Sequence, residues 1–157
     1  MLDTSNIMLG VKLSSKKEDY LETIYRLSTG AGTVGLTDIA RERGVTLPTV
    51  NSAIGKLKED GLVNQEHYGK IALTPAGERK AAEIYRAHKV LSRFLSEILG
   101  LSTRQAENEA CIMEHGLSPM TLQRLENFIN KVLAGSYPLS PETDSDGSGK
   151  TSRKTKE

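Results

Sequence analysis

Between Leu36 and Thr74 the chain is punctuated so closely that only short elements fit, and their order is fixed. Leu36 to Leu62 reads as a helix, a tight turn and a second helix. Thr37 is the expected cap of the first helix, in which Ile39 and Ala40 point inward. Gly44 supplies the turn, because a left-handed backbone costs glycine least. Thr46 is placed to cap the second helix, and Pro48 falls in its first turn, where a missing N–H is harmless. Val50, Ile54 and Leu57 recur at helical spacing and pack inward, which leaves Thr49, Asn51, Ser52 and Lys56 on the outer side. Gly61 stops this helix. Leu62 to Thr74 then alternates as two short strands about a turn at Tyr68-Gly69, a hairpin that stands as a wing beside the second helix. Its His67 and Lys70 are placed to reach phosphates.

The remaining chain is helical. Residues 1–13 show no clear period and are expected to form a flexible arm. Ser15-Lys-Lys-Glu18 has the spacing of a capping box, so a helix is expected to start near Lys16. Tyr20, Leu21, Ile24, Tyr25 and Leu27 form its apolar stripe; Asp19 and Glu22 share another face, and Gly30 and Gly32 end it. Thr74-Pro75 opens the longest helix, which runs to about Leu99 before Gly100. Ile84, His88, Leu91, Leu95 and Ile98 lie along one stripe of it, so the histidine sits within an apolar seam. Ser102 and Gln105 form a second capping box, with Leu101 as staple, for a helix ending at Gly116. Ser118-Pro119 starts the last helix, whose Leu122, Leu125, Phe128, Ile129 and Val132 form an apolar stripe closed by Gly135. Residues 136–157 are Ser-, Pro-, Gly- and charge-rich and are expected to be a disordered tail, because they cannot bury enough surface to offset their ordering entropy.

Composition fits this outline. Only 4% of the 157 residues are aromatic and none is Trp, while 37% are hydrophobic, which suits aliphatic helical cores. A net charge of +1 means that any nucleic-acid affinity must come from local basic groups. One cysteine excludes an internal disulfide and fits a reducing compartment. No apolar run reaches the length of a membrane span, and the N-terminus lacks the layout of a signal peptide, so a cytoplasmic location is expected.

The chemistry gathers in Glu107-Asn-Glu-Ala-Cys-Ile-Met-Glu-His115. On a helix, Glu107, Cys111 and Glu114 share a face, with His115 beside them. Thiolate, carboxylate and imidazole are the side chains that bind transition metals. The first helix can add Asp19 and Glu22, and the long helix His88. The candidate ligand set is therefore Asp19, Glu22, His88, Cys111, Glu114 and His115, enough for one ion, or for two with Glu114 bridging. Singly, each has an ordinary alternative: an Arg26–Glu22 surface pair, a hydrogen-bonded core histidine, a small buried cysteine, a histidine favoured by a helix terminus. The joint pattern is what points to a metal. Mixed carboxylate, imidazole and a single sulfur suit Fe(II), Mn(II) or Co(II) better than a closed structural zinc site.

From about Ser15 to Ala134 the sequence resembles the DtxR/MntR family of metal-dependent repressors. The resemblance rests on Glu18-Asp-Tyr-Leu-Glu-Thr-Ile-Tyr25, on the helix-turn-helix and wing through Leu73-Thr-Pro-Ala-Gly77, and on Cys111-Ile-Met-Glu-His-Gly-Leu-Ser118. It implies a mainly α protein, with a winged helix-turn-helix DNA-binding domain over 14–74 and an all-helical metal-binding and dimerisation domain over 75–135. Asp19, Glu22, His88 and the Glu114-His115 pair match ligands of the manganese-sensing branch. Cys111 matches the iron-sensing branch, whereas Asp19 replaces that branch's Met, and Ser92 replaces a Glu of its second site. A thiolate is softer than a carboxylate, which tilts the expectation from Mn(II) to Fe(II), with one or two ions per subunit.

A homodimer is expected, with its interface on the last two helices, because Leu122, Leu125, Phe128, Ile129 and Val132 offer more apolar surface than so small a chain needs for its own core; two-fold symmetry then implies palindromic double-stranded DNA. By position and resemblance, Thr46, Pro48, Thr49, Asn51 and Ser52 face the bases, and Arg41, Arg43, Lys56 and Lys70 face phosphates. Asp19 and Glu22 would repel Glu114 without metal and be drawn to it by a divalent cation, which would set the spacing of two recognition helices. Two rivals stand beside this expectation: a winged-helix regulator indifferent to metal, and a small metalloenzyme. Nothing in the chain pairs an activated nucleophile with a general base, and no Gly-rich phosphate loop appears, so no enzymatic activity is expected.

Overall fold

A computed structural model describes residues 12–28, 32–66 and 69–136. The tail beyond Ser136, nearly all of the arm, Gly30, and His67 and Tyr68 at the hairpin turn lie outside the described residues.

The first helix, α1, spans Ser15–Ser28. Its cap is Ser14, one residue earlier than expected: the Lys17 N–H donates to Ser14 Oγ at 3.4 Å and to the Ser14 carbonyl at 2.9 Å. Leu13, assigned to the arm from sequence, is buried in the core. A two-residue strand, β1 (Val34–Gly35), precedes α2 (Leu36–Arg43), and α3 is Leu47–Glu59. Gly44 links the two helices at φ 63° and ψ 35°, as the turn requires. Two expected caps make no capping hydrogen bond. Gly35 holds the cap position of α2, so Thr37 falls inside its first turn. Thr46 does occupy the cap of α3, but its hydroxyl bonds the Thr49 hydroxyl at 2.9 Å instead of a backbone N–H.

The wing is β2 (Val63–Gln65) against β3 (Lys70–Leu73), antiparallel, with Val63 opposite Leu73 and Gln65 opposite Ile71. The sheet has three strands in the order β1-β3-β2. Sequence showed no β1, because two residues carry no period.

Thr74 caps α4 (Pro75–Arg93) through the Gly77 N–H at 3.0 Å, and its own hydroxyl donates to the Gly61 carbonyl at 2.7 Å. A Cβ on Gly77 would lie 1.9 Å from the Leu62 carbonyl oxygen, so α4 approaches the wing as closely as only glycine allows. The helix continues as a π-helical segment, Phe94–Ile98. Then follow α5 (Thr103–Met113), a 3-10 turn (Glu114–Gly116) and α6 (Pro119–Leu133). Ser102 and Ser118 cap α5 and α6 as expected.

One core joins α1, α2, α3 and the sheet to the first half of α4 through Tyr20, Leu21, Ile24, Ile54, Leu57, Ile71 and Ile84. Two smaller cores join the second half of α4 to α6 and to α5. Part of the α6 stripe is used inside the subunit: Leu122 and Ile129 are buried against α4, while Leu125, Phe128 and Val132 are half-buried. Among the described residues, the exposed apolar surface beyond α3 lies instead at Leu99, Ile112, Met113, Met120 and Leu133. Four of these five, Ile112, Met113, Met120 and Leu133, lie on the last two helices.

Candidate functional site

The site forms where α1, α4 and the end of α5 meet. The α1 stripe of Tyr20, Leu21 and Ile24 is held in the core, which fixes the helix in rotation and turns Asp19 and Glu22 toward α5. The Ile84–Leu91 seam likewise fixes α4 and points His88 into the same gap. The tight 3-10 turn after α5 swings Glu114 and His115 onto these two helices.

All six expected residues come together. Ligand atoms of Asp19, Cys111 and Glu114 lie within 4.8 Å of one another, and so do those of Glu22, His88 and Glu114. Glu114 belongs to both groups. The His115 Nε2 lies 2.9 Å from Asp19 Oδ1 and 3.7 Å from Glu114 Oε1.

Electrostatics make this gathering costly without a cation. Glu22 and Glu114 are buried, and one carboxylate oxygen of each, Oε1, has no hydrogen-bond partner among the described residues. Unpaired buried oxygens of this kind carry a full desolvation cost. Burial, and then the negative charge of Glu114, hold the Glu22 carboxyl above the usual carboxylate range. Burial also pushes the Cys111 thiol up to about 11, with the charges of Glu114, Asp19 and Glu22 adding to it. His88 responds in the opposite sense. Its bond to Glu114, 2.8 Å from Nδ1, raises it to about 9 against the opposing effect of burial, and the bond to Glu107 adds to the rise. His115 is raised too: burial opposes this, but its bond to Glu18 and the charges of Asp19 and Glu114 prevail. The donor set and the orphaned oxygens fit a divalent cation, which would satisfy both carboxylates at once.

Two contributors escaped the sequence-derived set. Glu107 accepts from, or is paired with, His88 Nε2 at 2.7 Å and accepts from the Ser92 hydroxyl at 2.7 Å. The bond to His88 lowers the Glu107 carboxyl. The four-residue spacings of His88 with Ser92 and of Glu107 with Cys111 were the available signal. Glu18, read as a capping residue, instead lies 2.7 Å from His115 Nδ1. Nothing in the chain order links residues so distant.

The second surface is α3. Thr46, Pro48, Thr49, Asn51, Ser52 and Lys56 are all exposed, as is Lys70 on the wing. Lys16 and Lys17 of α1 line the same groove as Pro48, Thr49, Ser52 and Lys56, a basic contribution not expected from sequence. Arg41 is exposed but pairs with Asp38 at 3.3 Å. Arg43 has partners within the chain: its Nη2 lies 2.9 Å from Asp19 Oδ2 and its guanidinium lies over the Tyr20 ring, which turns it toward the acidic cluster. The docking of α1 beside the end of α2 brings a half-buried acidic partner within its reach.

The architecture is that of a winged helix-turn-helix DNA-binding domain followed by a helical metal-binding and dimerisation domain. Residues 12–71 match the N-terminal DNA binding domain of the iron dependent repressors, and residues 74–134 match their metal binding and dimerisation domain. The chain belongs to the iron-dependent repressor family. It is 38% identical over 120 residues to an uncharacterised HTH-type transcriptional regulator of Methanocaldococcus jannaschii, covering 76% of this chain and 96% of that one. It is 32% identical over 115 residues to the diphtheria toxin repressor of Corynebacterium diphtheriae, covering 73% of this chain and 51% of the repressor. Among solved structures, the manganese regulator SloR superposes with a TM-score of 0.66 at 32% identity, over 73% of this chain and 53% of SloR. The chain thus spans about half the length of the diphtheria toxin repressor and of SloR. No helix among the described residues is long and apolar enough to cross a membrane.

Proposed function

We propose that this protein is a cytoplasmic, homodimeric repressor that binds palindromic DNA only when a divalent metal, Fe(II) in preference to Mn(II), occupies the cluster of Asp19, Glu22, His88, Cys111, Glu114 and His115, with control of metal-uptake genes as its role. The observation that carries this reading is the pair of buried carboxylate oxygens on Glu22 and Glu114 that have no hydrogen-bond partner among the described residues, contributed by two separate parts of the fold.

Bound there, a divalent cation supplies the positive charge that the carboxylates lack. Asp19 and Glu22 then hold α1 against the end of α5, where otherwise they repel Glu114. Because α1 shares its core with α2 and α3, holding α1 also holds α3 relative to the helical domain. Further ion pairs make α1 and the helix-turn-helix one body: Lys17 to Asp60 at 2.6 Å, and Arg26 to Glu42. In a dimer this fixes the spacing of two recognition helices, which must match half-sites about one helical turn apart. A coupling of about 1–3 kcal/mol is enough to change affinity roughly 5–150-fold. Thiolate ligation by Cys111 supports Fe(II), since soft sulfur favours it over the harder Mn(II). The domain limits that accompany this reading are 14–74 for the DNA-binding unit and 75–135 for the helical unit. Its role is binding, without catalysis.

The test is an anaerobic DNA-shift titration on the fragment upstream of the protein's own coding region, comparing chelator, Fe(II), Mn(II) and Zn(II) at one salt concentration. Binding that needs metal, and that is lost in Glu114→Ala or His115→Ala, is the expected result. Equal binding in chelator would leave a winged-helix regulator without a metal switch.

A further inference from the structure

Asp19 is shared between two parts of the molecule. Its Oδ1 faces His115 Nε2 at 2.9 Å, on the cluster side. Its Oδ2 faces Arg43 Nη2 at 2.9 Å, on the helix-turn-helix side. Arg43 is the last residue of α2, directly before the Gly44 turn that leads into α3. Its guanidinium is held from a second direction by the Tyr20 ring, 5.3 Å from the centroid, so it is not a swinging surface charge. Its Nε is buried and has no acceptor among the described residues. A guanidinium fork normally pairs both parallel N–H groups with both carboxylate oxygens. Here it pairs one, because the other oxygen is turned to the cluster.

We infer that Arg43 is a positioning residue for the metal centre: by holding Oδ2 it aims Oδ1 of Asp19 into the cluster, and it ties that oxygen to the turn of the helix-turn-helix. The inference rests on the metal-centre reading above and adds a residue to it. It also leaves Asp19 only Oδ1, the oxygen facing His115, to offer as a ligand. Electrostatics alone argue the other way, since a positive guanidinium beside a divalent-cation site repels the cation. The two roles therefore predict opposite signs for its removal.

The experiment measures Mn(II) affinity of the full chain without DNA, using the free-ion EPR signal, in the wild type, Arg43→Met and Arg43→Gln. Met keeps the packing on Tyr20 but neither the charge nor the donor; Gln keeps a donor without the charge. A positioning role predicts that R43M binds Mn(II) at least about tenfold more weakly, although a repelling charge is gone, and that R43Q stays near the wild type or binds more tightly. Equal or tighter binding by R43M overturns the inference. Should R43M fail to fold, as judged by circular dichroism, the wild type decides. The Nη signals of Arg43 in nitrogen-15 NMR are expected to show slow, hydrogen-bonded rotation both before and after Zn(II) is added. An averaged, freely rotating signal after Zn(II) overturns the inference. Failure of the wild type to bind Mn(II) or Zn(II) at all would remove the metal-centre reading itself, and this inference with it.

Discussion

Glu22 and Glu114 bring carboxylate oxygens within 4.8 Å of each other in a buried site, with His88 as their shared neighbour. Without a cation this pair opposes folding; with one it supports it. Glu22→Gln keeps the shape and removes one charge. The metal-free variant is expected to melt higher than the metal-free wild type. Metal at about 100 times its Kd stabilises the wild type by roughly 2.7 kcal/mol, and the variant is expected to lose most of that gain. Calorimetry with and without Mn(II) reads both effects. A variant that melts lower in chelator would remove the repulsion argument.

The Cys111 thiol, pushed up to about 11, must lose its proton to ligate. Metal binding at neutral pH is therefore expected to release protons, and affinity to rise with pH. Titration calorimetry in buffers of different ionisation enthalpy counts the protons. Cys111→Glu exchanges soft sulfur for hard oxygen and is expected to shift preference toward Mn(II), by about tenfold in the ratio of Mn(II) to Fe(II) affinities.

His88 is held at about 9, above its ordinary 6.5, mainly by Glu114. The sign follows from linkage: a raised folded value stabilises the protein fully below about 6.5, and that stability fades as pH rises through 9. Denaturant unfolding of the metal-free protein is expected to show falling stability across this window. His88→Gln is expected to flatten the profile. A wild-type profile already flat between these limits would contradict the pairing.

On the recognition surface, Lys56 and Asn51 are both exposed on α3, but they have different chemistry. Lys56→Ala is expected to weaken DNA binding alike for all sequences and to reduce the salt slope by about 1. Asn51→Ala is expected to leave the slope unchanged and to relax discrimination at one base pair by about 1–3 kcal/mol. Affinities over a salt series, on operator and on mismatched DNA, separate the two.

Gly77 admits no side chain without moving the Leu62 carbonyl. Gly77→Ala is expected to destabilise the fold by about 1–3 kcal/mol, read as a lower denaturant midpoint. The same contact joins the wing to the start of α4, so the metal response of DNA binding is expected to weaken alongside.

Much of this was legible in the sequence for a physical reason. Caps such as Thr74, Ser102 and Ser118 act within one turn, so local spacing reveals them. That Asp19 pairs with Glu22, and Cys111 with Glu114, on one face was legible because i, i+3 and i, i+4 spacing on α1 and α5 states which side chains lie together. What escaped depends on how helices dock. Arg43 looks like a surface cation on α2 alone, and only the placement of α1 gives it Asp19. Glu18 looks like a capping residue until the 3-10 turn carries His115 to it. On α6 the pattern shows an apolar stripe but not that α4 takes up Leu122 and Ile129 of it, and Leu13 looks like arm because one buried residue has no period. The strand β1 escaped because its identity lies in its partner β3.

The centre has no home in either half of the chain. Asp19 and Glu22 come from α1, within the unit that carries the recognition helix, whereas His88, Cys111, Glu114 and His115 come from beyond Thr74. A cut after the wing would give two pieces, each with an incomplete set of donors and neither a chelator of the original kind. The sensor is thus not a cartridge that can be lifted out and fused to another DNA-binding domain. Any graft must carry α1 with its acidic face, and a swap of the helix-turn-helix that discards α1 discards two of the six clustered side chains with it.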